Sequence, residues 1–401
     1  MKTFRHKHAF RLICLLSAST LSLAAGCVYV HDSSYSYSSS DFTAVASQTR
    51  KGELPADLKI LDVENHFGAV HVVATDNGPA QFTWKLTVHA RTDVLASNAL
   101  AVARCEPVRN GDRVQLILIP PDTADRLSYQ SDLEIQIPKA TALRTQNHFG
   151  ATTIVGLAGD VEVEGQNGSV ELRNLDGKVQ AKTSFALLRV DTSGPASLKN
   201  QNGPIEAVNI HGSLDAETSF ASLTARGVNG PVKLHNQNGR IEALQVKGNA
   251  DLKTSFADLV AQQVEGDAAL ANQNGRISAR DITGSVKAGT SFATLEVEGT
   301  GPSFICHDQN GSIHLRASST DLAKIDAQTS FGTIEVSLPA GLKPAIQAHT
   351  SFAEIESDFP VLLKPKGQEV FADIEAGTPR VTLQNQNGGI RILREKATAA
   401  R

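Results

Sequence analysis

Aromatic side chains are scarce in this 401-residue chain: they make up 5% of it, with a single Trp and four Tyr. Rings of that size are what a thick globular core is built around, so this chain has to close a thin core of Val, Ile, Leu and Ala. Basic runs are missing as well. The 38 Lys and Arg stand against 42 Asp and Glu, a net charge of −4, which leaves no electrostatic footprint for nucleic acid. The only long apolar run, Leu12 to Ala25, is too short to span a bilayer. Catalytic signatures are equally thin: no Gly-x-Ser-x-Gly elbow, phosphate loop, Cys-x-x-Cys pair or calcium-binding Gly-Gly-x-Gly-x-Asp nonapeptide occurs.

What the chain has is repetition. From Asn147 to Arg316 a unit of 18 residues recurs in two alternating spellings. One reads Thr218-Ser219-Phe220-Ala221, the other Asn236-Gln237-Asn238-Gly239. The register runs on through Phe256, Asn274, Phe292 and Asn310, each 18 residues after the last, and back through Asn202, Phe185 and Asn167 to Phe149, with one step of 17. Inside a unit the apolar residues alternate, as in Leu223, Ala225, Val228, then Val232 and Leu234 after Gly230-Pro231. Period-two spacing broken by Gly or Pro predicts two short strands and a turn. No unit can bury its inward face alone, so the units must stack at about 4.8 Å per coil. The fold class predicted is all-β, a single-stranded β-solenoid (β-helix) with coils of about 18 residues.

Stacking turns each position of the repeat into a column. Arg240, Asp258 and Arg276 share one, Lys233 and Asp251 another, where opposite charges on neighbouring strands add a few tenths of a kcal/mol each. The Asn-Gly pairs at Asn167, Asn202, Asn238, Asn274 and Asn310 are expected at tight corners that need a positive φ. Asn and Gln in file can bond to one another and to the turn backbone. For Phe220, Phe256 and Phe292, strict alternation points outward, while burial of each ring is worth roughly 2 kcal/mol. The expectation is that they fill a corner of the core; the alternative is an exposed aromatic stripe that binds something. The carboxylates Asp251, Asp258, Asp281 and Asp308 fall in different columns, unlike the clustered ligands a polysaccharide-acting β-helix enzyme needs. His66 and His148 recur at equivalent motif positions and read as repeat-position polar residues, not metal ligands. The reading is therefore of no enzyme, no catalytic residue, no cofactor and no metal.

Residues 1–26 read as an export segment: Lys2, Arg5, Lys7 and Arg11, then the apolar run, then Leu23-Ala24-Ala25-Gly26-Cys27. This ending resembles the bacterial lipobox, which implies cleavage before Cys27 and a lipid on Cys27, hence a membrane-attached, outer-membrane or cell-surface protein. Residues 27–57 begin Ser-rich and are expected to be a flexible tether. Residues 58–146 form an N-terminal β-rich cap, with a short helix from Asp93 to Ala103, a hairpin turn at Asn110-Gly111 and Trp84 in its core. The regular coils occupy 147–316, wider closing coils and a C-terminal cap 317–395, and a tail 396–401. Of the four Cys, Cys14 lies in the export segment and Cys27 at its end, leaving Cys105 and Cys306. They are expected at opposite ends of the stack, on the order of 40 Å apart, too far to be bridged.

The repeated Asn/Thr-x-[Phe/Asn]-Gly/Ala-x-[Ile/Leu]-x-[Ala/Val] units, the Leu338-Pro339 and Phe359-Pro360 closures and the final Asn-Gly-Gly-Ile-Arg-Ile unit resemble the bacterial putative-adhesin β-strand-repeat family, over most of residues 58–395. The resemblance implies a secreted or lipid-anchored solenoid and specifies a fold far better than a function. Two classes of function stay open: a binding surface for an unidentified protein or glycan partner, or a structural, envelope-stress scaffold without a discrete site.

Overall fold

The structure, a computed structural model, describes residues 42–395 apart from 77, 123–126, 367–368 and 374–378. The export segment, Cys27, the Ser-rich stretch and the tail lie outside the described residues. From Phe42 onward the chain is one compact unit whose described strands all pair within it, so it holds its own core and folds without the preceding segment.

The unit is a β-solenoid of two stacked sheets. Each regular coil gives one strand to each sheet: Leu223–Val228 lies in the first, Val232–Asn236 in the second, and Ile241–Val246 returns to the first. Neighbouring coils pair in parallel, Leu223 with Ile241 and Val232 with Ala250. Side chains one repeat apart therefore stand in file, and Asn238, Phe256 and Asn274 lie in one column. Leu223, Ala225, Val228, Val232 and Leu234, with their counterparts in each coil, form one continuous buried core between the sheets.

Alternation in the first sheet breaks before its last inward residue, since Val228 follows Ala225 by three. The backbone supplies the reason. The residue just before that inward one adopts a left-handed φ in coil after coil: Asn174, Thr192, Asn209, Gln245, Gln263 and Asp281 at 53–58°, and Gly227 at 68°. The kink turns two successive side chains outward and returns the third to the core.

The Asn-Gly corners are built differently from the expectation. Gly168, Gly203, Gly239, Gly275 and Gly311 of the Asn-Gly pairs are not among the positive-φ glycines; in this column only Gly68 and Gly150, which follow Phe, are, at 137° and 138°. A Cβ at Gly239 would sit 2.1 Å from the carbonyl oxygen of Ala221 in the coil below. Close approach of one coil's backbone to the next excludes a side chain there. The second corner has its own glycine column, where a Cβ on Gly284 would fall 2.3 Å from the Gly266 carbonyl.

Both ends of the stack are closed out of sequence order. At the start, the coil of Ile60–Phe67 and Val70–Thr75 is sandwiched: Val70 pairs with Leu133 on one side and Thr152 on the other. The intervening chain supplies the outer layer, with the helix Asp93–Val102 capped by Thr92, the hairpin Arg104–Asn110/Arg113–Ile119 and the buried Trp84, whose Nε1 donates to Ser131 Oγ at 2.7 Å. The tether expected over 27–57 is corrected here. Ala44–Glu53 is a strand, paired antiparallel with Gln81–Ala90. It is mostly polar and half-exposed, which is why alternation did not mark it.

At the other end the expected succession of wider coils is also corrected. Lys324–Thr329 and Ile334–Pro339 pair not with the next coil in sequence but with the last, Arg380–Asn385 and Ile390–Glu395. The coil of Ala345–Thr350 and Ile355–Ser357 then stacks on the far side of that one. The chain skips a layer and its final segment fills the gap.

Candidate functional site, an aromatic comb along one corner

The corner between the second sheet and the first carries the two spellings of the repeat, and each holds itself in place by different bonds. In the Phe spelling the buried Thr254 donates through Oγ1 to the Gly239 carbonyl of the coil below, at 3.0 Å. In the Asn spelling the buried Asn236 donates through Nδ2 to the Ala221 carbonyl, at 2.7 Å, and accepts from its own Gly239 N–H, at 2.9 Å. The ladder continues through the displaced terminal coil: Asn385 donates to the Gly332 carbonyl and Thr350 to the Gly388 carbonyl. Thr or Asn thus takes the one inward place at the corner. The third residue of each motif points outward.

The expectation that Phe220, Phe256 and Phe292 fill the core is overturned by this geometry, and the rings stand in solvent at 60–63% exposure. The coils are too closely spaced for a ring beside the Thr/Asn ladder. The comb runs through Phe149, Phe185, Phe220, Phe256, Phe292, Phe331 and Phe352, with an Asn corner between each pair. Its far end depends on the skipped layer, since pairing of Ile313, Ile334, Ile390 and Ile355 puts the corner residues in the order Asn310, Phe331, Asn387, Phe352. In sequence two Phe spellings follow each other and an Asn spelling is left over. In space the alternation is unbroken. That mismatch was the legible sign of the displaced coil.

Two coils separate successive rings, about 9.6 Å. Where the alternation lapses, at the N-terminal end, rings from adjacent coils touch. Phe67 and Phe149 stack with centroids 5.2 Å apart and planes 12° from parallel, and Tyr129 meets Phe67 edge-on at 5.3 Å. Stacking lowers their exposure to 41% and 46%.

The charge columns are in register but pair otherwise than expected. Arg240 reaches Glu242 at 3.6 Å and Arg276 contacts Glu296, while Asp251 meets Lys253 of its own strand at 3.3 Å. Pairs between adjacent coils occur at Lys182–Glu164 (3.3 Å) and Lys199–Glu217 (3.2 Å). All are surface pairs that add little each. His66 and His148 stack in neighbouring coils, centroids 4.8 Å apart, and both approach Glu64, at 3.6 and 3.9 Å. Strand register alone produces the stack. Parallel rings do not converge on one point as the tetrahedral ligands of zinc must, so a metal there requires both rings to tilt.

Cys105 is half-buried in the N-terminal cap and Cys306 is buried between the sheets; both are free. Burial pushes Cys105 up to about 12 and raises Cys306 as well, holding both as unreactive thiols. Asp308 takes the place of Asn in the buried ladder. Its Oδ1 accepts from the Asn310 and Gly311 N–H groups, while Oδ2 is buried without a partner.

No family model matches the chain, and no curated protein does. Among solved structures, a "putative cell adhesion protein" from Clostridium sporogenes is similar over 87% of this chain and 100% of its own, at 9% identity and a TM-score of 0.18. A "putative adhesin" from Bacteroides fragilis is similar over 87% of this chain and 97% of its own, at 12% identity and a TM-score of 0.16. Likeness at this level carries no argument for function, which has to come from the corner itself.

Proposed function

We propose that this chain is a non-enzymatic cell-envelope lipoprotein, anchored by lipid on Cys27, that presents a rigid β-solenoid as an adhesin-like binding surface. One observation carries the reading: a regular file of exposed phenylalanines on a unit whose core is already filled. Leaving apolar surface of that extent in water is unfavourable, and such patches mark interaction sites. The scaffold offers no comparable reason for rings that stand outside its core and mostly in solvent. The lipobox-like ending at Cys27 accounts for where such a surface would be held.

Two measurements test this. Labelling with a palmitate analogue is expected for the wild-type chain and not for Cys27→Ala; equal labelling removes the anchor. Beads coated with residues 42–401 are expected to retain cells or envelope fragments through the Phe corner. Beads that retain nothing would leave the structural-scaffold reading in its place.

A further inference from the structure

The comb has a partner of defined geometry. We propose that its occupant is a second copy of this chain, the two combs interdigitating ring into notch. This rests on the binding-surface reading and names the partner.

Period is the first argument. A ligand engaging several rings at once must repeat every two coils, about 9.6 Å, or drift out of step along the file. An extended strand repeats every two residues at about 6.8 Å and an α-helix every turn at 5.4 Å, so neither keeps pace. Another copy of the comb has the same period by construction, with no accumulated error.

Shape is the second. Each tooth is one coil wide and each notch is one coil wide, because Phe and Asn corners alternate singly. A two-fold axis across the stack, midway between two coils, sets the Phe corners of one copy against the Asn corners of the other, for up to six of the seven rings. Such an isologous contact closes on itself and leaves no comb free to propagate. Interdigitated rings would then lie one coil apart. The molecule already contains that arrangement, since Phe67 and Phe149, on adjacent coils, stack at 5.2 Å.

Area is the third. Seven rings largely in water add up to roughly 800 Å² of apolar surface, about what one partner contributes to a stable interface. The unbroken alternation through the displaced C-terminal coil extends the file to Phe352. Had the coils stacked in sequence order, Phe331 and Phe352 would have met as neighbours and closed a notch.

The test uses residues 42–401, the self-contained folding unit, in sedimentation-velocity runs across micromolar concentrations. The wild-type unit is expected to be a dimer. Phe220→Ser/Phe256→Ser/Phe292→Ser is expected to be a monomer, at least about a hundredfold weaker in association, with an unchanged melting temperature because the rings leave the core untouched. A second variant, Phe256→Asn/Asn274→Phe, keeps the number of rings but moves one tooth into a notch, and is expected to dimerise far less than wild type. A monomeric wild type overturns the proposal. So does a dimer that survives the triple substitution, or a ring-shifted variant as tight as wild type, which would mean unspecific apolar contact. Oligoproline and a β-linked oligosaccharide are the control ligands, the first because a polyproline II turn rises about 9.3 Å. Binding of either along the comb of a monomeric unit assigns the surface to that class instead. Cell retention by a monomeric unit would leave the binding function standing and remove only the self-partner.

Discussion

The Asp308 carboxyl occupies the place where other coils put an Asn amide that donates to a carbonyl below. A carboxylate cannot donate, so Oδ2 is left buried and unpaired. Burial raises its pKa in spite of the backbone donors on Oδ1. The sign follows. The fold prefers the neutral acid, so the stabilisation is complete below the unfolded value of about 3.9 and is lost as pH climbs through the raised folded value. Asp308→Asn restores the donor without the charge and is expected to gain about 1–3 kcal/mol near neutral pH. Urea midpoints of the two chains should diverge as pH rises from about 4 to about 8. Parallel midpoints would mean that Oδ2 finds a partner or water.

At the scale of the strand, the recurring left-handed residue is the device that lets a six-residue strand present three inward side chains and still turn the corner. Most coils place Asn, Gln, Asp or Gly there. Thr192 is the exception, with φ 58° on a β-branched residue, a conformation that costs on the order of 1–3 kcal/mol. Its hydroxyl donates to Asp191 at 3.2 Å, a half-exposed bond that offsets little. Thr192→Gly is expected to raise stability by about 1 kcal/mol, read from the thermal midpoint, although it adds glycine to a strand. The same exchange at an ordinary strand position such as Thr224 should lower it. Equal losses at both sites would contradict the kink. The helix Asp93–Val102 and the hairpin turn at Asn110-Gly111 were expected from the sequence, whereas Ala44–Glu53 was not, because a partly exposed edge strand needs no apolar alternation.

For the whole molecule, the displaced last coil acts as a keystone. Stacked repeats gain most of their stability from neighbours, and this one has neighbours on both faces while arriving last in the sequence. Ending the chain at residue 379 would strand the coil at 345–357 and uncover the coil at 324–339. Amide exchange in such a truncation is expected to quicken across Lys324–Thr329 and Ile334–Pro339, while Leu223–Val228 and Ile241–Val246 keep their protection. Unchanged exchange at 324–339 would show that the layer closes without its last segment. The self-association proposed for the comb belongs to this scale too, because its length depends on that coil.

In the regular coils, period, strand identity and inward apolar columns were determined by the sequence alone, since each is a local pattern of apolar residues that recurs at a fixed interval. Three things were decided only by the tertiary structure. The rings face outward because two coils a strand's width apart leave room at the corner for Thr or Asn bonded to a carbonyl, and none for Phe. The corner glycines answer to a neighbouring backbone, which no single unit reveals. The order of coils at each end is set by which exposed edge a returning segment pairs with; at the C-terminal end the out-of-turn Phe and Asn spellings mark that a coil is displaced, but only the pairing shows where it goes.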